Sequence, residues 1–200
     1  SGLVACGSFA NCFNSGFAPA ACGGGYSESD VSSLPQSTAT SAEGRWTGMT
    51  PTGRTVAGLI LKDGSYWVFY TAKGNPHIVA GLFQGTGTSH AGSFGSSNTR
   101  DFNLEGVEIR AATMRGGYVP NNSFRGTIAY VTGDTESFTS TYDADSESAP
   151  NLNLVAGTYV GLRADHHTVT VTVDSAGTLS GSSTDGCTVA GTLSPRAMRN

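Results

Sequence analysis

The chain has 200 residues, with 11 Lys and Arg against 15 Asp and Glu, for a formal net charge of −4. Charged residues make up 13% of the chain, about half the usual share in a soluble domain, while Gly, Ser and Thr are abundant. This composition excludes a basic surface for nucleic acid, because binding to phosphates requires a surplus of Lys and Arg. The sequence has no run of about 18 apolar residues, so it predicts no membrane-spanning helix.

The N-terminal residues 1–27 carry three of the four cysteines and contain no Asp, Glu, Lys, Arg or His. Leu3-Val4-Ala5-Cys6 has the form of a lipoprotein cleavage box, and Ala20-Ala21-Cys22, followed by three glycines, is a second one. We therefore expect lipidation at Cys22 or Cys6, since several acyl chains hold a protein firmly to a membrane. A disordered leader or an expression remnant is the alternative. Lipidation at Cys22 would leave Cys187 as the one remaining cysteine of the mature protein.

The whole chain divides into four predicted segments. Residues 1–42 read as a disordered leader and flexible tether, rich in Gly and Ser. Residues 43–133 form a first antiparallel β unit, and residues 151–200 form a second β unit that is incomplete. Between them, residues 134–150 form an acidic linker, whose carboxylates lack the Gly and terminal Glu of an EF-hand calcium loop.

Hydrophobic alternation and β-branched residues predict strands, and no segment keeps a helical period. The Asp63-Gly64 pair between two apolar runs is a strong hairpin signal, because both central residues of such a turn take positive φ. We expect strands at 55–61, 66–70, 77–84, 102–109, 123–131, 136–142 and 168–173. The predicted fold is all-β, with two related antiparallel β-meander or half-barrel units that together form a partly open barrel.

An internal repeat links the two predicted units. Three blocks recur in the same order at a nearly constant offset: 44–48 with 157–161, 55–64 with 168–177, and 77–82 with 187–193. Chance matching in a Gly- and Thr-rich chain is the alternative. If the repeat is real, the second unit ends on an open sheet edge that a partner or another copy covers.

These features carry a resemblance. A lipobox-like cysteine, a Gly/Ser tether, the Gly-x-Trp-x-Gly motif at 44–48 and the strand–Asp-Gly–strand units resemble Gram-negative surface lipoproteins. Over residues 18–194 the chain is similar to a family of Burkholderia-like surface lipoproteins and antigens with duplicated β units. More distantly it resembles the barrel modules of transferrin-binding-protein-like and factor-H-binding lipoproteins. The resemblance implies an outer-membrane lipoprotein or secreted antigen, and it transfers no ligand-binding residue to this chain.

The residues that carry chemistry predict no catalytic, cofactor or metal site. His166 and His167 are adjacent, so a strand would direct them to opposite faces, and with Asp165 they supply too few ligands for zinc. The sequence Gly85-Thr86-Gly87-Thr88 lacks the Lys and the helix of a phosphate-binding loop. We expect a mobile loop from there to Thr99.

Aromatic side chains are the remaining candidates for a site. A possible binding surface comprises Tyr66, Trp67, Phe69, Trp46 and Tyr159, and burial in a core is the alternative. We expect a non-enzymatic cell-envelope protein that binds an unidentified protein or small molecule at the cell surface and contacts the membrane only through its lipid anchor. The alternatives are a structural protein that self-associates through an open sheet edge, and a small hydrolase or lipid-binding barrel using His77 or His167.

Overall fold

The computed structural model describes residues 3–10, 41–106, 108–163 and 166–195, of which 3–10 and Ser146 are described by their backbone alone. Within these residues it has fourteen β-strands, two short 3-10 turns and no α-helix. The predicted all-β class is confirmed. The chain forms two compact units, the first ending at Ser146 and the second containing the residues from Glu147 onward.

The first unit is a closed eight-stranded antiparallel barrel. Consecutive strands pair in the order β5-β4-β3-β2-β10-β9-β8-β7, and a further pairing between β5 and β7 closes the ring, while β6 extends a hairpin with β7. Its strands are β2 (Gly44–Met49), β3 (Thr55–Ile60), β4 (Ser65–Ala72), β5 (Asn75–Thr86), β6 (Thr88–His90), β7 (Ser93–Asn103), β8 (Glu108–Val119), β9 (Ser123–Tyr130) and β10 (Thr135–Asp143).

The barrel strands alternate between buried inward-facing residues and more exposed outward-facing residues, as a pleated sheet around a core requires. In β3, for example, Val56, Gly58 and Ile60 are buried, and the residues between them are half-buried. The predicted hairpin is present between β3 and β4, but only Gly64 takes a positive φ, of 84°. Asp63 does not, because Leu61 pairs with Ser65 and the loop between them has three residues instead of the expected two. The local sequence therefore sets both the facing of the strands and the position of this turn.

The second unit contains an antiparallel sheet, which we call the C-terminal sheet. Its strands β11 (Gly157–Leu162), β12 (Thr168–Val173), β13 (Thr178–Ser183) and β14 (Thr188–Pro195) pair consecutively, and β1 (Leu3–Ala10) pairs with β14. Two 3-10 turns, Ala144–Glu147 and Leu152–Leu154, lie between β10 and β11. Among the described strands, β11 pairs only with β12, so its other edge is open.

The two units are related by the internal repeat at the level of individual strand pairs. Gly44 pairs with Ile60, and its counterpart Gly157 pairs in the same way with Val173. All six pairs of β2–β3 have such a counterpart in β11–β12 at one constant offset along the chain.

The third repeat block departs from this register. It falls on β5 and β14, and the sequence match aligns Gly81 with Gly191. In the strand pairing, Tyr66 faces Gly85, whereas its counterpart Leu179 faces Gly191. The structural repeat therefore shifts within this block, although the two sequence blocks lie on corresponding strands.

The structure corrects several sequence-based boundaries. The predicted strand 102–109 is the end of β7, a turn and the start of β8. The loop expected as far as Thr99 contains β6 and most of β7, because Gly and Ser alternate there with inward-facing Phe94, Ser96 and Thr99. A polar composition therefore hid a barrel strand.

Two wider expectations also change. The barrel closes within the first unit, so the two units are not halves of one partly open barrel. The acidic segment 134–150 contains β10, which supplies the last barrel strand before the two 3-10 turns. The leader assigned to residues 1–42 includes β1, which is a paired strand, while residues 11–40 lie outside the described residues.

Candidate functional site

The two ends of the barrel differ in their filling. At the end where β2 begins and β8 ends, aromatic rings pack edge to face around Phe124, whose ring centroid lies 5.6 Å from those of Trp46 and Phe94. The Trp46 indole N–H donates to the carbonyl of Ala42 at 2.8 Å. Ala42 in turn donates its backbone N–H to Ser89 on β6, which is not a neighbour of β2 in the sheet. The segment before β2 therefore crosses this end and covers it, and we call it the aromatic end.

A buried carboxylate organises the barrel interior nearer the opposite end. Asp101 is 0% exposed and lies on β7 directly opposite Arg110 on β8. Its oxygens accept hydrogen bonds from the hydroxyls of Tyr70 at 2.7 Å and Tyr130 at 2.9 Å, and from the Arg110 guanidinium at 2.7 Å. Three donors thus compensate the loss of hydration around the buried charge. This group is called the Asp101 cluster below.

The two tyrosines of the Asp101 cluster are held in their neutral form. Burial raises the pKa of Tyr70 above its ordinary value, and the hydrogen bond that Tyr70 donates to Asp101 raises it further. The pKa of Tyr130 is raised for the same two reasons, and the Arg110 guanidinium carbon lies 4.1 Å from its ring centroid. Both hydroxyls consequently remain hydrogen-bond donors throughout the physiological pH range.

A cavity of about 250 Å³ lies beside the Asp101 cluster. Its residues belong to the barrel end formed by the β2–β3, β7–β8 and β9–β10 connections, which we call the open end. The deeper wall is apolar and comes from inward-facing residues of six strands: Val56, Val68, Phe83, Met114, Ile128 and Phe138. A concave apolar pocket with a few convergent polar groups is the usual form of a small-molecule site.

The rim of the cavity carries more acid than base. Two guanidinium groups line it, those of Arg54 and Arg110, and three carboxylates do so, those of Glu105, Asp134 and Glu136. Arg54 is paired with Glu105 at 2.8 Å, as Arg110 is with buried Asp101. With both cations already neutralised, the rim presents a net negative field to an incoming ligand.

The aromatic residues predicted as a binding surface are distributed over different places. Tyr66 and Trp46 are buried in the barrel, so they do not form a surface; both face inward toward the aromatic end. Trp67 and Phe69 share the outer face of β4, where Phe69 is 51% exposed. Tyr159 lies on β11 of the other unit and is also 51% exposed. The five residues therefore do not form one site.

Phe69 belongs instead to an apolar row on the outside of the barrel. Strand pairing places it opposite both Ala57 and Leu82, and continues the row through Phe102 to Ile109. This outer row crosses five strands, and both Phe69 and Ile109 are about half exposed. The sequence indicated one part of it, through Trp67 and Phe69.

The cysteine predictions are tested only at Cys187. The side chains of Cys6, Cys12 and Cys22 lie outside those described, so the structure does not test the predicted lipidation at Cys6 or Cys22. Cys187 is disulfide-bonded, so it is not the lone thiol of this chain. The backbone of Cys6 pairs with that of Thr192 on β14.

The histidines are dispersed over the structure. His166 occupies the β11–β12 turn with a φ of 66°, and the Nδ1 atom of His167 lies 3.2 Å from the Thr184 hydroxyl. His77 and His90 are on exposed parts of β5 and β6. Across the described ranges, no group of three or more His, Cys, Asp and Glu side chains is arranged to hold a metal ion.

The Asp101 cluster was missed by the sequence reasoning, although one signal for it exists. Asp101 and Arg110 each lie two residues outside the facing pair Asn103 and Glu108, so a hairpin that turns between these two residues places the two charges opposite each other. Predicting a single strand over 102–109 concealed this hairpin. The pairing of Tyr70 and Tyr130 with Asp101 depends on barrel closure and has no local signal.

Comparisons with protein-family models, with curated proteins and with solved structures found no match to this chain. In the parts of the chain that the structure describes, no helix has the length and apolar character to cross a membrane. The interpretation of function therefore depends on the geometry of the barrel and of the C-terminal sheet.

Proposed function

We propose that the chain is a non-enzymatic binding module of the cell envelope, and that its barrel binds a small amphiphile in the cavity at the open end. The observation that carries this proposal is the combination of an apolar cavity of about 250 Å³ with a polar rim at one end of a closed barrel whose other end is filled by aromatic rings. A cup of this kind removes the apolar part of a ligand from water and leaves its polar part at the rim.

The charges at the rim favour a neutral or cationic head group on this ligand. A carboxylate or phosphate would meet Glu105, Asp134 and Glu136, and both nearby guanidinium groups are already paired with carboxylates. An amine or hydroxyl group would instead find acceptors that are partly free. The hydroxyl of Thr52 donates to one oxygen of Glu136 at 2.8 Å, which leaves the other oxygen available as an acceptor.

Two fluorescent probes test this proposal directly. N-phenylnaphthylamine is neutral and anilinonaphthalene sulfonate is anionic, and they have similar aromatic parts. We expect saturable binding of the neutral probe, with a dissociation constant at least about tenfold lower than that of the anionic probe, equivalent to about 1.4 kcal/mol. Equal affinities, or tighter binding of the sulfonate, would contradict the proposed head-group preference. Absence of binding by both probes would contradict the cavity as a site.

Two variants show whether the probe enters the cavity. Val68→Trp places a large side chain in the apolar wall, so we expect probe binding to be lost. Val119→Trp makes the same change at a valine on β8 that is 56% exposed and does not line the cavity, so binding is expected to persist. If both variants lost probe binding equally, or if neither lost it, the cavity would be excluded as the binding site.

The envelope location is proposed from the lipobox-like cysteines and is supported by the disulfide at Cys187, because disulfides persist in oxidising compartments. This disulfide also separates the two lipidation candidates. Processing before Cys22 removes Cys6, Cys12 and all of β1, and leaves Cys187 with no partner thiol in the chain. Processing before Cys6 retains all four cysteines and shortens β1 by its first three residues. We therefore propose that Cys6 is the lipidated residue, and that the membrane is contacted through this anchor.

Fractionation of a Gram-negative host expressing the full-length gene product tests the location. We expect the protein in the envelope fraction, with an acylated N-terminal peptide that begins at Cys6. An acylated peptide beginning at Cys22 would overturn the assignment to Cys6 and retain the envelope location. An unmodified chain in the cytoplasm would overturn both.

A further inference from the structure

The open edge of β11 is the counterpart of a paired edge in the barrel. β2 and β11 occupy equivalent places in the repeat, because all six of their pairs with the following strand match at one constant offset along the chain. In the barrel, the other edge of β2 is covered by β10. Among the described residues, no strand lies in the corresponding position beside β11.

Two glycines on β2 accommodate the close approach of β10. A Cβ atom added to Gly48 would collide with the backbone of Thr139 and Ser140, and one added to Gly44 would collide with the ring of Tyr142. The equivalent residues on β11 are also glycines, Gly157 and Gly161, but an added Cβ at either one would have no neighbour within 4 Å. The repeat thus retains the glycines at an edge where the described structure has no strand that requires them.

We propose that β11 pairs antiparallel with β11 of a second copy of this chain, with Tyr159 on the two-fold axis. In this register Tyr159 faces its own counterpart, and Gly161 faces Gly157 of the second copy. The barrel junction has the same arrangement, since Trp46 faces Tyr142, with ring centroids 5.4 Å apart, and Gly48 faces small Ser140. An aromatic pair and an adjacent pair of small residues are therefore common to both junctions.

The backbone of β11 is oriented for this pairing. The turn hydrogen bond from the Arg163 N–H to the His167 carbonyl fixes the alternation, so that Gly161 and Tyr159 direct their backbone groups toward β12. The N–H and C=O groups of Val160 and Thr158 are consequently the ones that point to the open edge. In the proposed register Val160 faces Thr158 of the second copy, and the two residues exchange backbone hydrogen bonds.

The side chains of β11 favour self-association. The strand Gly157–Leu162 contains no charged residue, so it lacks the charges by which exposed edges usually prevent pairing, and a two-fold contact brings no like charges together. Val160 is 69% exposed and Leu162 73% exposed, so the edge strand carries unburied apolar surface. Because a two-fold contact uses the same edge on both copies, assembly through β11 stops at a dimer.

Sedimentation of the purified chain tests this inference separately from ligand binding in the barrel. We expect the wild-type chain to be a dimer that dissociates on dilution. Val160→Lys should give a monomer, because the two lysines would lie diagonally across the junction on the same face. Val119→Lys makes the same change on β8, which lies between β7 and β9, and should remain dimeric. A monomeric wild-type chain, or equal behaviour of the two variants, would overturn the inference.

A second variant does not depend on charge. Gly161→Val has open space for its side chain in the isolated chain and should fold normally, yet it blocks the close approach of another strand. We expect a monomer with an unchanged melting temperature at low protein concentration, where the wild-type chain is also dissociated. A dimer as stable as that of the wild type would overturn the proposed edge.

A cysteine trap tests the register. On the two-fold axis, the two copies of Tyr159 form a pair whose backbone groups point away from the junction, and such pairs have the shortest Cβ distance. Tyr159→Cys should therefore form a disulfide between the two copies on mild oxidation. Val160→Cys, displaced from the axis, should not cross-link to itself. Mass spectrometry identifies the linked peptides and separates them from those of the native cysteines. Cross-linking in the second variant and not in the first would overturn the register.

Discussion

Gly64 and Gly177 occupy the same position in the two repeats, with φ angles of 84° and 85°. Each glycine closes a turn by donating its N–H to the carbonyl of the residue three positions earlier. This residue is Leu61 in the barrel and Asp174 in the C-terminal sheet. The carbonyl of Gly64 accepts a hydrogen bond from Gly87 at 2.9 Å, and that of Gly177 accepts one from Leu193 at 2.7 Å. Each turn is therefore hydrogen-bonded to the strand that carries the third repeat block, just after the end of β5 in the barrel and within β14 in the C-terminal sheet.

Substitution of either glycine tests how much this close backbone contact contributes to stability. Gly64→Ala would force a side chain into positive φ and toward the carbonyl oxygen of Gly87, and Gly177→Ala would do the same toward Leu193. We expect each to lower the free energy of unfolding by about 2–3 kcal/mol. Gly53→Ala, with a φ of 83° but no atom within 4 Å, should lower it by about 1 kcal/mol. Urea denaturation of the three variants measures the difference, and equal losses would show that the close contact contributes nothing.

Asp101→Asn tests the buried cluster. The variant keeps the size of the side chain but removes the negative charge that compensates Arg110 and accepts hydrogen bonds from Tyr70 and Tyr130. Because it removes the buried counter-ion of Arg110 and leaves only the exposed Glu108 at 3.4 Å, we expect a loss of about 3 kcal/mol in the free energy of unfolding.

Asp145→Asn is the matched control for this carboxylate. Its side chain is 83% exposed and lies 4.0 Å from Arg45. We expect a change below about 0.5 kcal/mol, as for other exposed ion pairs. If denaturation gave similar values for Asp101→Asn and Asp145→Asn, the buried cluster would not be a stabilising element.

Alkaline pH should unfold the barrel through its buried tyrosines. Burial and the hydrogen bond to Asp101 raise the pKa of Tyr70 and of Tyr130 in the folded chain, whereas in the unfolded chain both titrate near pH 10. Above pH 10 the unfolded state therefore binds fewer protons than the folded state, and stability falls as the pH rises. Their contribution is complete below pH 10 and is lost progressively above it.

Tyrosinate absorbance and circular dichroism measure this alkaline transition together. We expect part of the tyrosinate signal to appear only with the loss of ellipticity, in one cooperative step. In Tyr130→Phe this step should lose amplitude. A smooth titration of all tyrosines with the β-sheet signal intact would show that the two hydroxyls are accessible and contradict the expectation.

Reduction of the disulfide at Cys187 should destabilise the second unit. Cys187 immediately precedes β14, the strand that pairs with both β13 and β1. We expect dithiothreitol to reduce the stability of this unit by about 2–4 kcal/mol. Cys187→Ser should melt at the same temperature as the reduced wild-type chain in calorimetry. A variant as stable as the oxidised wild type would show that this bond does not support the sheet.

The sequence predicted features that depend on neighbouring residues. The hairpin at Gly64, the alternation of β12 and the correspondence of the first two repeat blocks follow from local patterns, and the structure places the matching blocks on corresponding strands. The barrel strand β7 was missed because its inward positions include Ser96, Thr99 and Asp101, whose burial is possible only with partners from distant strands. Tyr66 provides one such partner, since its hydroxyl lies 2.6 Å from that of Thr99.

The site was less accessible to sequence reasoning because closure creates it. Tyr70 and Tyr130 come from β4 and β9, which are not adjacent in the sheet and face each other only across the barrel interior. Gly81 contributes to the same arrangement, because an added Cβ would collide with the ring of Tyr70. No local pattern distinguishes this glycine from one that serves a turn.

β2–β3 in the closed barrel and β11–β12 in the described part of the C-terminal sheet pair in the same register. All six residues of β11 are exposed, so its register with β12 does not require burial in a closed core. The two strand pairs should therefore be able to replace each other. A chimera that carries the residues of β11–β12 in place of β2–β3 should therefore align its strands correctly, even where its new neighbours pack less well.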